Sequence, residues 1–266
     1  MDLSIYQVDA FTSKVFSGNP AAICPLEQWL EEKVLQDIAA ENNLSETAFF
    51  VRESDAYRLR WFTPQCEVDL CGHATLASAF VLLNILEPHN SSIRFNTRSG
   101  LLTVSRDGDL IAMDFPSFRP WKCQNPPQKL AQGLPVAEGC AAPSEVFQTN
   151  SKYLVIYENE AEIQNAKPDF EALKELHPLG VCITAPGQRS DFVSRYFVPS
   201  YGIPEDPVTG STHSSLVPYW AGRLRKEKFH ARQLSKREGE LWCELKGERV
   251  ILKGKAVLYL TGSISI

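Results

Sequence analysis

Hydrophobic residues recur along the chain at helical and at strand-like spacings, and stretches of the two kinds alternate. From residue 29 to 42, WLEEKVLQDIAAEN places Leu30, Val34, Leu35 and Ile38 on one face, which predicts an amphipathic helix. Short β-rich runs flank it or follow later: LSIYQVDAF, TAFFV, LLTVS, YLVIY, VCITA, RVILKG and AVLYL. This order of elements indicates an α+β fold.

Two further apolar runs, ATLASAFVLLNIL and SSLVPYWAGRL, each follow a glycine and are predicted to be helices. Their helically spaced apolar positions are Leu76, Phe80 and Leu83 in the first run and Leu216, Trp220 and Leu224 in the second. Gly72 and Gly210 therefore stand at helix N-termini, where unpaired N–H groups and the positive end of the helix dipole favour an anion.

The segments that precede these helices resemble each other. Residues 60–75 are RWFTPQCEVDLCGHAT, and residues 195–213 are RYFVPSYGIPEDPVTGSTH. Arg60 matches Arg195 at an offset of 135 residues, and Gly72 matches Gly210 at an offset of 138, close to half the chain length of 266. We therefore predict a duplicated chain with halves at 1–118 and 119–256, divided in the Pro- and Gln-rich stretch from Arg119 to Ser144. The last strand, about 257–266, would be able to cross over to the first half.

Glu46, in NLSETAFFV, is the first candidate for chemistry. A glutamate between two hydroxyl residues at the start of a strand is often a solvated edge charge. Beside an apolar strand and a substrate carboxylate, it would instead act as a general base.

Two residues of the first repeated segment are further candidates. His73 follows Gly72, and the positive helix end predicts a neutral imidazole there, against the alternative of an exposed first-turn histidine. Cys71 is a candidate nucleophile because a helix N-terminus favours the thiolate. A two-base racemase would need a second acid at the duplicated position, which holds Thr209, so packing is the preferred role of Cys71.

The second segment offers groups for binding a carboxylate. Gly210 contributes backbone N–H groups and Ser211 a hydroxyl, while Asp206 stands in the loop that leads to them. The alternatives are that Thr209 or Ser211 only caps the helix and that Asp206 is a turn residue. Duplication of the whole loop favours a paired anion site, because capping alone does not require it.

Composition excludes several partners. The formal charge of −5 argues against binding of a nucleic-acid backbone. The N-terminus does not resemble a signal peptide, and no apolar stretch is long enough to span a membrane, so we expect a cytoplasmic protein.

Seven cysteines without a CxxC pair indicate free thiols. Cys66, Cys71 and His73 lack a second pair of ligands at zinc spacing, so we expect no metal. Nucleotide-binding motifs are also absent from the sequence, and we expect no cofactor.

Taken together, these segments resemble the PhzF-type (phenazine-biosynthesis-like) family. The resemblance rests on DAFTSKVFSGNPAAIC, NLSETAFF, RWFTP with DLCGHATLA, SRYFVP with EDPVTGSTH, and QLSKREGELWCEL, which cover the chain from end to end. It implies a diaminopimelate-epimerase-like α+β fold with two pseudo-symmetric halves, each a mixed sheet around a central helix, and a site between them. It also implies a cofactor-free isomerase that binds a small carboxylate metabolite, and a homodimer is expected from size and resemblance.

The resemblance assigns roles by motif. Glu46 would move a proton on an unsaturated ring acid, the Gly-His pair would be Gly72-His73, and the second loop would contribute Asp206 and Ser211. Relatives of the epimerase type use two cysteines, whereas this sequence has Cys71 and Thr209. Two alternatives therefore stay open: an epimerase or racemase that uses Cys71, and a non-catalytic binding or interaction protein.

Overall fold

The structure, a computed structural model, describes residues 1–135 and 142–266, so Cys140 lies outside the described residues. The chain divides into two units. Unit 1 comprises Met1–Phe115 with Ile251–Ile266, and unit 2 comprises Pro116–Val250.

The first part of the chain is built mainly from strands, with two helices of ten or eleven residues. Its elements are β1 (Asp2–Ala10), β2 (Asn19–Leu26), α1 (Glu32–Asn42), β3 (Glu46–Glu53), β4 (Ala56–Phe62), β5 (Glu67–Val68), α2 (Gly72–Val81), a π-helical turn (Leu82–Leu86), β6 (Ser92–Thr97), β7 (Gly100–Asp107) and β8 (Leu110–Pro116).

The second part repeats this alternation, and the chain ends in a long strand. Its elements are β9 (Trp121–Lys122), α3 (Gln128–Gly133), β10 (Glu145–Gln148), β11 (Lys152–Ile156), α4 (Glu160–Asn165), α5 (Phe170–Lys174), β12 (Gly180–Pro186), β13 (Phe192–Val198), a 3₁₀ turn (Pro199–Tyr201), β14 (Ile203–Asp206), α6 (Gly210–Leu224), β15 (Lys228–Gln233), β16 (Gly239–Lys246), β17 (Arg249–Gly254) and β18 (Ala256–Ser265).

Strand pairing confirms the predicted duplication. In unit 1, β2 runs parallel to β3, β3 antiparallel to β4, β4 antiparallel to β5 and parallel to β6, and β6 antiparallel to β7. In unit 2, β11, β12, β13, β14, β15 and β16 pair in the same order and directions. Each unit is therefore a mixed sheet, and the α+β class is confirmed. The terminal strand β18 pairs antiparallel with β1 in unit 1.

A buried helix follows the repeated segment in each unit. Every residue of α2 except Phe80 is buried, and so is most of the first half of α6. Leu224 belongs to α6, as predicted, but it is exposed because the helix ends there, with Arg225 in the left-handed region. The outer helix α1 begins at Glu32 rather than at residue 29, since Trp29 and Leu30 pack on the core before the first helical turn.

Part of the repeated sequence is explained by an ion pair that occurs once in each unit. Nε of Arg60 lies 2.7 Å from Oε1 of Glu67, and Nε of Arg195 lies 2.7 Å from Oε1 of Glu205. A second nitrogen of each arginine binds the other carboxylate oxygen, at 2.6 and 2.9 Å. Each arginine thus ties its long strand to the short strand that follows.

Among the described residues, no helix is both long and apolar enough to cross a membrane.

Candidate functional site

The position of Glu46 is set by the end of α1. Asn43 terminates that helix in the left-handed conformation, with φ of 48°, and β3 begins at Glu46 after only two more residues. In the sheet, Glu46 stands opposite Ala21 of β2. Its side chain is 14% exposed, so it is not the solvated edge charge that the local sequence also allowed.

His73 places its imidazole against this carboxylate. Nε2 of His73 lies 3.0 Å from Oε2 of Glu46, and the His73 side chain is 4% exposed. The approach is oblique, and both atoms are buried without a well-directed hydrogen-bond partner. Two buried polar atoms that face each other in this way keep capacity for a ligand, because buried polar groups are otherwise nearly always satisfied.

Asn19 fixes the orientation of that imidazole. Its side-chain amide lies 3.0 Å from Nδ1 of His73, which leaves Nε2 as the atom that faces Glu46. In the neutral ring the amide N–H donates to Nδ1, and in the imidazolium the amide oxygen accepts from Nδ1–H, so Nε2 carries a proton in both forms. The preceding residue, Gly18, has φ of 66°, and a Cβ there would lie 2.2 Å from the Ala10 carbonyl oxygen. The turn that delivers Asn19 to His73 therefore requires glycine.

Cys71 lies on the same side of the ring, with Sγ 3.5 Å from Nδ1 of His73. Burial, together with the charge of Glu46, raises the pKa of Cys71 to about 11, so the side chain is a neutral thiol at pH 7. The expectation that the helix N-terminus favours the thiolate is therefore wrong, because desolvation outweighs the helix dipole at this buried position.

The charge state of His73 also differs from the expectation. Burial by itself lowers the pKa of His73, but Cys71 and Glu46 outweigh burial and raise that pKa well above its ordinary value. Cys71 acts in this way only as a thiolate, so at neutral pH the upward effect comes from the Glu46 carboxylate. The structure thus does not support a ring held neutral by the helix end.

In unit 2, the second repeated loop brings together its own set of polar groups. Asp206 ends β14, and the Thr209 hydroxyl donates to its Oδ2 at 2.5 Å. Thr209 occupies the N-cap position of α6, yet its side chain makes no capping bond, and the same is true of Cys71 at the N-cap of α2. Capping therefore does not explain the hydroxyl of Thr209, and Gly210 and Ser211 form the uncapped first turn.

Gln233 and His213 hold this loop in place. The fully buried Gln233 accepts from the Thr209 N–H at 2.9 Å and donates to the Asp206 carbonyl at 2.8 Å. Nδ1–H of His213 donates to the Thr209 carbonyl at 2.8 Å. Burial lowers the pKa of His213 to about 4, so this ring is neutral at pH 7.

Asn19 and Gln233 were not assigned a role from the sequence. Both stand in stretches that carry the family resemblance, GNPAAIC and QLSKREGE, but the side-chain partners of a lone Asn or Gln are set by tertiary contacts that local pattern does not encode.

Within the described residues, one group of side chains has the spacing of metal ligands. One atom each from Glu46, Cys71 and His73 lies within 4.8 Å of the other two. Cys66, which lies near Cys71 and His73 in the sequence, is exposed and stands outside this group. A cation here would need the Cys71 thiol deprotonated, which its burial opposes. The six described cysteines are free thiols, as predicted.

Solved structures share this fold. A PhzF-family protein from Enterococcus faecalis superposes with a TM-score of 0.94 at 43% identity, and the match covers 100% of both chains. A hydroxyproline epimerase from Agrobacterium vitis, at 11% identity and a TM-score of 0.64, covers 99% of this chain and 92% of its own and shares the fold alone. The architecture is therefore of the diaminopimelate-epimerase-like type, as predicted.

Sequence comparison gives the family. Residues 8–262 match the family described as phenazine biosynthesis-like protein. An uncharacterized isomerase from Pseudomonas aeruginosa is 53% identical over 266 residues, with 100% of both chains covered. The chain belongs to the phenazine biosynthesis-like family, and two relatives that are 53% and 48% identical to it carry the name isomerase.

Proposed function

We propose that the protein is a cofactor-independent isomerase that shifts a proton between two carbons of a small unsaturated cyclic carboxylic acid, with Glu46 as both acid and base. The contact between Glu46 and His73 carries this proposal. It supplies a largely buried carboxylate, a fixed neighbouring imidazole and two polar atoms without well-directed partners. Glycine and asparagine place the imidazole, so the pair is preorganised.

In the proposed step, the Glu46 carboxylate removes a proton from a carbon next to the conjugated acid. The electron pair delocalises into that system as the C–H bond breaks. The carboxylic acid form of Glu46 then returns the proton to another carbon, and a double bond shifts with no net oxidation. Nε2–H of His73 balances charge on the Glu46 carboxylate or the ligand. Positioned acid–base catalysis contributes about 10²–10⁴-fold.

We assign substrate binding to the second loop. Gly210 and Ser211 present an uncapped helix turn to a carboxylate, and Asp206 with Thr209 fixes the loop that precedes it. Gly72 and Cys71 take the corresponding binding role in unit 1. This part of the proposal rests on the repeated motif and on the absence of side-chain caps at the two helices.

Two observations favour this reaction over an epimerase that uses Cys71. The Cys71 thiol has its pKa raised to about 11, so almost no thiolate is present to act as a base at neutral pH. The duplicated position holds Thr209, whose hydroxyl is engaged by Asp206. A two-base racemase therefore lacks a matched second base at this pair of positions.

The proposal is tested by turnover in D₂O with a panel of cyclohexadiene and cyclohexene carboxylic acids, followed by NMR. A proton-shifting isomerase moves a double bond, and any solvent deuterium appears at the carbon that receives the proton. Deuterium at a stereocentre with interconversion of enantiomers would support the epimerase instead. Thermal stabilisation by these acids without any hydrogen exchange would support a binding protein and contradict the proposal.

A further inference from the structure

Unit 2 carries a buried charge that the duplicated motif does not include. Lys152, the first residue of β11, is only 4% exposed. Its Nζ donates to the carbonyl of Ser211 in the first turn of α6 at 3.3 Å and lies 5.6 Å from the centre of the Tyr196 ring. Among the described residues, no carboxylate pairs with this ammonium. A buried lysine without an anionic partner is rare and costly.

Strand register shows which position of unit 1 corresponds to Lys152. In unit 1, Ala21 of β2 stands opposite Glu46 of β3. The equivalent parallel pair in unit 2 is Lys152 of β11 opposite Gly180 of β12. In unit 1 the ionisable residue of this pair is an acid, Glu46, on the second strand. In unit 2 it is a base, Lys152, on the first strand.

Local packing accounts for the missing acid. A Cβ at Gly180 would lie 2.3 Å from the Tyr196 hydroxyl, so any side chain there collides with the phenol. Lys152 instead reaches Ser211, the residue that matches His73 in the repeated motif. Each unit therefore sets one ionisable strand residue against the start of its buried helix, with opposite charge in the two units.

The side chains that face the Lys152 ammonium are neutral at pH 7, and the Asp206 carboxylate on the neighbouring strand β14 acts on one of them, Tyr196. The titratable groups that face it are the Cys182 thiol on β12, the Tyr196 phenol on β13 and the His213 imidazole on α6. Burial raises the pKa of Cys182 to about 12, raises that of Tyr196 further above its usual value, and lowers that of His213 to about 4. Burial also lowers the pKa of Lys152 to about 8, so its charge is retained at neutral pH but is poorly compensated.

We propose that Lys152 is a positioning residue of a carboxylate site at the start of α6: its ammonium holds the first turn through Ser211 and supplies the positive charge that a bound carboxylate compensates. This inference rests on the proposed function, in which Gly210 and Ser211 bind the carboxylate of the substrate. It adds the charged group that makes the site selective for an anion over a neutral isostere.

The test uses benzoate and its neutral isostere benzamide as probes, with calorimetric Kd values at pH 6.5 and 9.5. The wild-type protein is expected to bind benzoate at least about tenfold more weakly at pH 9.5, as Lys152 loses its proton, and benzamide equally at both pH values. Lys152→Met is expected to bind benzoate roughly 30-fold more weakly at pH 6.5 and to lose the pH dependence. Cys182→Ala is the packing control, because the equivalent position in unit 1 is Ala48. This variant should keep the wild-type affinity for benzoate and its pH dependence.

His73 also titrates, so the same series in His73→Gln separates its contribution from that of Lys152. If Lys152→Met does not fold, proton uptake in His73→Gln is measured at pH 8.5 in two buffers of different ionisation enthalpy. Uptake on binding benzoate is expected, because the anion raises the pKa of Lys152.

The proposal is overturned if folded Lys152→Met binds benzoate with wild-type affinity and pH dependence. It is also overturned if His73→Gln takes up no proton, or if wild-type protein does not bind benzoate at all. These outcomes are distinct from failure of the proposed function, because they measure binding without turnover.

Discussion

The Glu46 carboxylate and the His73 imidazole meet at 3.0 Å inside unit 1, whereas the equivalent position of Glu46 in unit 2 is Gly180. The two units therefore share the order and direction of their strands but not the ionisable residue at this position. Under the proposed function, unit 1 supplies the carboxylate for proton transfer, and unit 2 supplies the buried amine that favours an anion. This division of roles determines which substitutions should affect turnover and which should affect binding.

Loss of the Asn19 side chain should affect turnover more than binding. Asn19→Leu removes the amide that binds Nδ1 of His73, so the ring is no longer held with Nε2 facing Glu46. We expect kcat to fall by as much as roughly a hundredfold, because small errors in catalytic geometry are costly. The Kd for benzoate should stay within about twofold of wild type. An unchanged kcat in a folded variant would refute the assigned role of Asn19.

Gln233 is predicted to act on the second loop. Gln233→Leu removes the acceptor of the buried Thr209 N–H and a donor to the Asp206 carbonyl, so stability should fall by about 1–3 kcal/mol and the Kd for benzoate should rise. Gln36→Leu is the matched control, since Gln36 also donates to a backbone carbonyl, that of Thr63, but in unit 1. Equal effects of the two substitutions on Kd would show that Gln233 has no particular role in the loop.

The repeated Arg–Glu pairs are predicted to stabilise the fold. Arg60 and Glu67 have side chains that are 16% and 7% exposed, so Arg60→Met leaves a nearly buried carboxylate with Arg98, at 2.6 Å, as its remaining partner. We expect a loss of about 1–2 kcal/mol in urea unfolding. Lys33→Met removes a pair in which both partners are largely exposed, and it should change stability by no more than about 0.5 kcal/mol. Similar losses in the two variants would contradict the structural role of the repeat.

Buried His213 should make the fold sensitive to acid. Its folded pKa is about 4 and its ordinary value is 6.5, so between these limits the unfolded chain binds more protons and the free energy of unfolding falls as pH falls. From pH 7 to pH 4, this contribution amounts to roughly 3 kcal/mol at most. The free energy of unfolding is measured by urea titration for wild type and His213→Gln at pH 7 and at pH 4. The difference between the two proteins should change by this amount between the two pH values. A constant difference would show that His213 does not titrate as described.

Local sequence predicted the repeated elements well because their signals are local. Apolar spacing identified the helices after Gly72 and Gly210, and the repeated arginine segments identified the strands before them. The start of α1 at Glu32 was not predicted, because Trp29 and Leu30 pack on the core from the loop before the helix. The apolar pattern does not distinguish such loop residues from residues of the helix itself.

The remaining features of the site depend on long-range contacts. The hydrogen bond between Asn19 and His73 joins residues 54 positions apart, and the one between Gln233 and Thr209 joins residues 24 positions apart. The correspondence between Glu46 and Gly180 is visible only in strand register, since the letters around the two positions do not match. Desolvation of Cys71 likewise follows from burial, which its place before a glycine does not reveal.

Proton transfer by Glu46 is tested most directly by comparing turnover of Glu46→Gln with that of wild type. Turnover is measured as double-bond migration and deuterium incorporation in D₂O, on the acid that gives the highest wild-type rate. The substitution keeps the size and hydrogen-bonding capacity of the side chain but removes its ability to take a proton. We expect kcat to fall by at least about 10²-fold, with the melting temperature and the Kd for benzoate nearly unchanged. Wild-type turnover by a correctly folded Glu46→Gln would contradict the account.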